Sequence, residues 1–396
     1  MVGVASRHRL RPRTHRFNRN SMTSAPSGVA MPESATSAAR ARSFGVHFDG
    51  TPGPLNAITD VSGVEVGHVT LLHDGDRKTG RGIARTGVSA ILPHGKDSTP
   101  SFAGWFSLNG NGELTGTAWI DESGLLDGPI LSTNTYSVGT VRDAVIAWAL
   151  DHGLPETRWT LPVVGETWDG YLNDITAFHV TRDHVFAAID GARPGPVGEG
   201  SVGGGTGMIC YEFKGGIGTS SRKVSVDGDW SIGVLVQANH GTRNELLVAG
   251  VPVGRELVGG HIPPQPSSSI LVFVATDAPL LPHQLKRLAR RCSLGLARTG
   301  STSHSSSGDL FLAFSTANQA ELGTGRTSRS RLEYLPDASL DPLFGGVVQS
   351  VEEAILNALV AGKAMVGYHG HAVEGFPTAR LPEILRRFGR RATPSS

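Results

Sequence analysis

This chain is short of cysteine, has no membrane-length apolar run and carries no phosphate-binding signature. Only Cys210 and Cys292 occur in 396 residues. Each sits among apolar neighbours outside any paired spacing, which argues against a disulfide framework or zinc site and for two buried free thiols. No apolar stretch reaches the roughly 20 residues that cross a bilayer. With 39% hydrophobic residues, the expectation is a soluble, globular, cytoplasmic protein without a membrane partner. The glycine-rich loops Gly203-Gly204-Gly205-Thr206-Gly207 and Gly215-Gly216-Ile217-Gly218 miss the dinucleotide-binding register and lack the lysine and hydroxyl residue of a phosphate loop. They read equally as tight turns beside a crowded core or as loops facing something other than phosphate. Nucleic acid is not an expected partner, because the body of the chain has no basic face with interleaved aromatics. There is no internal repeat.

What is abundant is glycine, 52 residues against a usual share of roughly 7%, and, at the start, arginine. Residues 1–43 hold eight arginines against the single acid Glu33 and lack the apolar core of a secretory signal. They are expected to be a disordered basic leader; an organelle-type targeting segment, or a start at Met22 or Met31, are the other readings. A single folded domain over 44–391 and a short tail at 392–396 complete the expected organisation. The folded part is then mildly acidic.

Within that domain the apolar pattern places strands at 64–71, 87–93, 163–164, 231–237, 270–275 and 310–314, with a turn at 58–61 and a turn-rich section through 109–112 and 127–129. Helical periodicity covers 140–150, with Val141, Ala144, Val145 and Trp148 on one stripe. A second helix is expected from a cap at Asp277 through Pro279 to a stop at Gly300, a third over 347–366, and a last basic one over 377–391. Strands and helices interleave without regular strand-helix-strand spacing. That predicts an α/β (α+β) fold of sheets packed between helices rather than a doubly wound sheet.

The segment with most chemical content runs from Pro263-Pro264-Gln265-Pro266 through Ser267-Ser268-Ser269 into Ile270-Leu271-Val272-Phe273-Val274-Ala275. Proline excludes helix, and the apolar run reads as a strand buried on both faces. Ser269 therefore sits at a loop-to-strand boundary, where chain cleavage before it would leave a hydroxyl and a new α-amine on a rigid strand. Alone, it would be an ordinary serine in a serine-rich loop. Ser307 and Asp309, two residues apart at the entrance of 310–314, can orient a nucleophile, although serine and aspartate are also common turn residues. Asn239, at the end of 231–237 and near Gly241, is the oxyanion candidate, an interaction worth about 3–4 kcal/mol in acyl-transfer enzymes. Glu166, after 163–164, could receive a cationic amine. His304, with no acidic partner evident in sequence, reads as a loop histidine.

These residues resemble the self-processing N-terminal-serine aminopeptidases that include the L-aminopeptidase/D-esterase enzymes and the β-peptidyl aminopeptidases. The resemblance spans roughly 50–367 and rests on long motifs: Pro52 to Val61, Thr133-Asn134-Thr135, Gly203 to Met208 and Val274-Ala275-Thr276-Asp277-Ala278-Pro279-Leu280-Leu281. It implies a four-layer α-β-β-α sandwich, one domain assembled from an α chain to 268 and a β chain from 269. It also implies roles: Ser269 as nucleophile, eight residues before Asp277; Ser307 and Asp309 as its support; Asn239 at the oxyanion; Glu166 as amine anchor. Two positions depart from the pattern. Ser268 precedes the cleavage site where glycine or asparagine is usual, and Trp168 stands where some members use a tyrosine, with Tyr171 a possible substitute.

The implied enzyme cuts itself between Ser268 and Ser269, then releases N-terminal residues from short peptides, amides and esters with a free amine, using no metal and no cofactor. Its expected assembly is a homotetramer of α/β heterodimers. The alternatives are a self-processing acyltransferase of the ornithine acetyltransferase type, and an unprocessed inactive scaffold. The former family uses a threonine nucleophile.

Overall fold

The computed structural model describes residues 39–390 except 77, 79–80, 98, 154–158, 266 and 323–327. Most of the expected leader and the expected tail lie outside the described residues. In chain order the strands of the two principal sheets are β1 (Glu65–His73), β2 (Ala84–Lys96), β3 (Ser101–Gly110), β4 (Leu125–Leu126), β5 (Ile130–Asn134), β6 (Val163–Thr167), β7 (Gly216–Ser225), β8 (Asp229–Asn239), β9 (Ser268–Thr276) and β10 (Ser307–Ser315). They form a four-stranded sheet ordered β1-β2-β5-β6 and a six-stranded sheet ordered β4-β3-β10-β9-β8-β7. The helices that cover them are α1 (Val138–Asp151), α2 (Arg182–Asp190), α3 (Pro282–Arg298) and α4 (Asp341–Ala361).

Strand alternation sets the layers. On β9, Ile270, Val272 and Val274 pack with Leu285 and Leu288 of α3 and with Val351 and Ile355 of α4. Its other face, Leu271, Phe273 and Ala275, meets Ile130 and Val163 of the second sheet. Beyond that sheet, Val141 and Val145 of α1 and Val185 and Ile189 of α2 cover Val88, Leu131 and Val164. The result is the helix-sheet-sheet-helix order expected from the sequence. Each large apolar side chain buried in this way contributes roughly 1.5–3 kcal/mol, which explains why the central strand is an unbroken apolar run.

Several boundaries differ from expectation. The structure is defined before Phe44: Ala41–Phe44 forms a 3-10 turn, Arg40 pairs with Glu199 at 2.8 Å and Arg42 with Glu353 at 2.7 Å. Both carboxylates are nearly inaccessible, so two of the eight leader arginines belong to the folded body as counter-charges. Helix α3 starts at Pro282, and Asp277 does not cap it; the Asp277 carboxylate accepts from Ser231 N at 2.7 Å, while Gln284 Oε1 accepts from Leu281 N at 3.0 Å. Helix α4 begins at Asp341, six residues before the expected start, and the last helix shrinks to Leu381–Arg387. Strands β3, β4, β5 and β7 are not among those expected from the sequence. In β7 the reason is composition: Gly218 allows α4 to lie directly against the strand, since a Cβ there would be 2.0 Å from Ala354 O. Helix α4 is long and apolar enough to cross a membrane, but 78% of its most apolar window is buried in the fold.

Candidate active site

Register converts a distant set of residues into neighbours. In the antiparallel pair β8–β9, Asn239 lies opposite Ser269; in the parallel pair β9–β10, Ser269 lies opposite Gly308 and Ser268 opposite Ser307. Three strand ends thus bring the expected nucleophile, its expected supporting pair and the oxyanion candidate together. Ser269 is fully buried, and its Oγ accepts from Gly308 N at 3.2 Å. Glycine is required at 308 because a Cβ there would stand 2.4 Å from Asn111 O.

Beside it, Ser307 Oγ donates to Asp309 Oδ1 at 2.6 Å. Burial raises the Asp309 carboxyl above its usual range, against the opposing pull of the Ser307 and Ser303 hydroxyls. Asn239 is held from two sides: Oδ1 accepts from Ile209 N at 2.8 Å and Nδ2 donates to Trp168 O at 2.9 Å. A primary amide has two N–H donors, and among the described residues only one of them is engaged.

A cavity of 180 Å³ opens beside the Ser268–Ser269 bond, lined on one side by Trp168, Ile209 and Asn239 and on the other by Pro263, Pro264 and Ser268. The segment leading to Ser268 is therefore part of the cavity wall. Glu166 does not line this cavity. It is buried on β6, where Oε1 accepts from Glu113 N at 3.0 Å and Oε2 from Thr135 Oγ1 at 2.5 Å. Burial lifts its pKa, and those hydrogen bonds pull it back. It lies across Gly112 from the site, for a Cβ on Gly112 would touch Gly308 Cα at 3.2 Å and Glu166 Oε1 at 3.3 Å.

Trp168 meets the site through its carbonyl as well as its ring. The indole covers Gly170, where a Cβ would lie 2.5 Å from Cζ2. Tyr171 stacks on His371 at 4.2 Å between ring centroids. His304 differs from expectation: its Nε2 is 2.8 Å from Glu245 Oε1, an acidic partner supplied from 59 residues away. Sequence reasoning also passed over His240. It is buried against Tyr211, neither ring nitrogen has a hydrogen-bond partner among the described residues, and burial pushes its pKa down to about 3. Its only sequence signal was adjacency to Asn239.

Among the described residues, no group of three or more His, Cys, Asp or Glu is arranged to hold a metal. A buried hydroxyl at a strand entrance, a hydroxyl-carboxylate pair alongside and an oriented amide opposite make an arrangement suited to acyl transfer.

Residues 56–373 match the model of peptidase family S58. The β-peptidyl aminopeptidase BapA of Sphingosinicella microcystinivorans is 49% identical over 371 residues, covering 89% of this chain and 93% of its own. A solved β-aminopeptidase from Burkholderia sp. superposes with a TM-score of 0.82 at 50% identity, covering 89% of this chain and 100% of its own. The L-aminopeptidase D-Ala-esterase/amidase of Ochrobactrum anthropi, described as a prototype serine aminopeptidase with a variant Ntn hydrolase fold, superposes with a TM-score of 0.84 at 46% identity, covering 89% and 99%.

Proposed function

The chain belongs to peptidase family S58 and is a hydrolase of the serine aminopeptidase class, and we propose that it matures by cutting itself before Ser269. In this reading Ser269 Oγ adds to the Ser268 carbonyl carbon. The C–N bond breaks, the nitrogen takes the hydroxyl proton, and an ester with a free α-amine results. Water then hydrolyses the ester, returning the Ser269 hydroxyl and leaving a carboxylate on Ser268. The new α-amine, with a reference pKa of about 7.7–8.0, acts as general base near neutrality. Ser307 and Asp309 orient it, and the remaining N–H of Asn239 stabilises the oxyanion.

The substrates are short peptides, amides and esters bearing a free amine. The substrate ammonium is assigned to Glu166, which stands across Gly112 from the Ser269 strand end rather than in the cavity lined by Trp168. Its carboxylate oxygens keep lone pairs beyond those used by Glu113 and Thr135. A blocked amine loses that ion pair, which makes the enzyme an exopeptidase. Trp168 bounds the side-chain pocket. The observation that carries this reading is the register placing Asn239 and Gly308 on either side of Ser269.

Denaturing intact mass with N-terminal sequencing tests it. Wild type is expected to yield two chains, the smaller beginning Ser-Ile-Leu-Val, and to release p-nitroaniline from a free aminoacyl anilide but not from its N-acetyl form. Ser269→Ala is expected to stay one inactive chain. Cleavage of that variant at the same bond would remove Ser269 from the mechanism.

A further inference from the structure

Lys214 is fully buried, yet among the described residues it forms no ion pair. Its amine donates to two backbone carbonyls, Met208 O and, at 3.3 Å, Gly215 O. The Met208 carbonyl also accepts from Gly215 N at 2.9 Å. The other end of that same peptide unit, Ile209 N–H, is the donor that holds Asn239 Oδ1 at 2.8 Å. We propose that Lys214 is a positioning residue for the oxyanion donor, acting through the Met208–Ile209 peptide to fix and polarise the Asn239 side chain.

The physical argument follows the resonance of two amides. A donor on a peptide oxygen draws electron density from the nitrogen and makes the N–H a stronger donor. Lys214 and Gly215 both do this to the Met208–Ile209 unit. Ile209 N–H then does the same to the Asn239 amide, whose Nδ2 hydrogens become better donors to a developing negative charge. Geometry leaves the relay little slack. A Cβ on Gly215 would lie 2.5 Å from Ala238 O and 2.7 Å from Cys210 Cβ, so the hairpin that carries the lysine, Ile209–Cys210 paired with Phe213–Lys214, is pressed onto β8 one residue from Asn239.

Burying a lysine amine outside any ion pair is costly, and a methionine would fill the same space without that cost. Burial pushes the Lys214 pKa down to about 7, with Cys210 and Asp169 pulling the other way. Stability alone does not reward such a residue; an electrostatic task beside a reaction centre does.

This inference rests on the role assigned above to Asn239, and the test separates the two. Lys214→Met, Asn239→Ala and the double variant are compared with wild type for kcat and KM on a free aminoacyl p-nitroanilide, and for the rate at which the chain divides. Asn239→Ala is expected to lower kcat by roughly 10²–10³. Lys214→Met is expected to lower it roughly tenfold with little change in KM, and to add nothing in the Asn239→Ala background, because residues acting as a unit are non-additive. If Asn239→Ala leaves both rates intact, the oxyanion assignment fails. If it slows them and Lys214→Met slows the double variant by its full factor again, only the Lys214 relay fails. Should Lys214→Met not fold, Lys214→Gln keeps a neutral donor for Met208 O. A kcat loss confined to the Asn239 background supports the relay, and wild-type kcat refutes it.

Discussion

His240 follows Asn239 directly and is buried, which disfavours the charged form of its ring in the fold. Burial lowers its pKa from an ordinary 6.5 to about 3, and lowers that of His68 to about 4. As pH falls below 6.5 the unfolded chain takes up these protons while the folded one does not, so stability is full above that pH and drains away toward pH 4 and then 3. The melting temperature is expected to fall steeply over this window, and His240→Phe, which keeps a ring against Tyr211, to flatten the slope in a pH series of thermal melts. An unchanged slope would mean that His240 is protonated in the fold. At this scale the sequence was informative where chemistry and strand position coincided: Ser269, Ser307, Asp309 and Asn239 each sit at a strand terminus readable from the apolar run beside it. It was silent on the partner of His304 and on the engagement of Glu166 by Glu113 and Thr135, because such partners are chosen by sheet packing.

Among the elements, α4 is the one whose charge is least visible beforehand. Glu353 on α4 accepts from Arg222 of β7 and from Arg42 of the N-terminal segment, at 2.7 Å in each case. Arg222 and Glu353 are both inaccessible. The carboxylate thus joins three separate pieces of chain. Glu353→Gln keeps the volume but leaves Arg222 buried without its counter-charge, at a cost of roughly 3–5 kcal/mol. Denaturant unfolding of the purified variant is expected to shift its midpoint down accordingly, and a shift below about 1 kcal/mol would place the pair among ordinary surface bridges. The same triad explains why the boundary of the folded part lies before Phe44. Composition counts Arg40 and Arg42 with the other leader arginines, whereas burial assigns them to Glu199 and Glu353.

For the whole molecule, the chain division proposed at Ser269 would not be a domain division. Strands β3, β4, β7 and β8 come from before the cut, β10 and all of β9 except Ser268 from after it, and all six share one sheet. The β9 strand pairs along its length with β8 on one side and β10 on the other. Hydrogen bonds of both ladders and the apolar layers on both faces would survive the loss of one peptide bond. The two chains are therefore expected to co-elute on native size exclusion and to part only in denaturant. Native mass will also count the copies, for which we propose four heterodimers. Two chains separating under native conditions would contradict the shared sheet.

The sequence by itself determined the layered class, the central apolar strand and the residues at its mouth, because two-residue alternation and unbroken apolar runs follow from burying one or both faces of a strand. It could not determine β7, the N-terminal ion pairs, the fixing of Asn239 by Ile209 or the burial of Lys214. Those depend on which segments are pressed together: the ion pairs and the Ile209–Asn239 bond join positions tens to hundreds apart, and the carbonyls that hold Lys214 are local but are buried only by the packed fold. Tertiary structure alone decided that a lysine beside a glycine-rich segment stands behind the amide opposite Ser269.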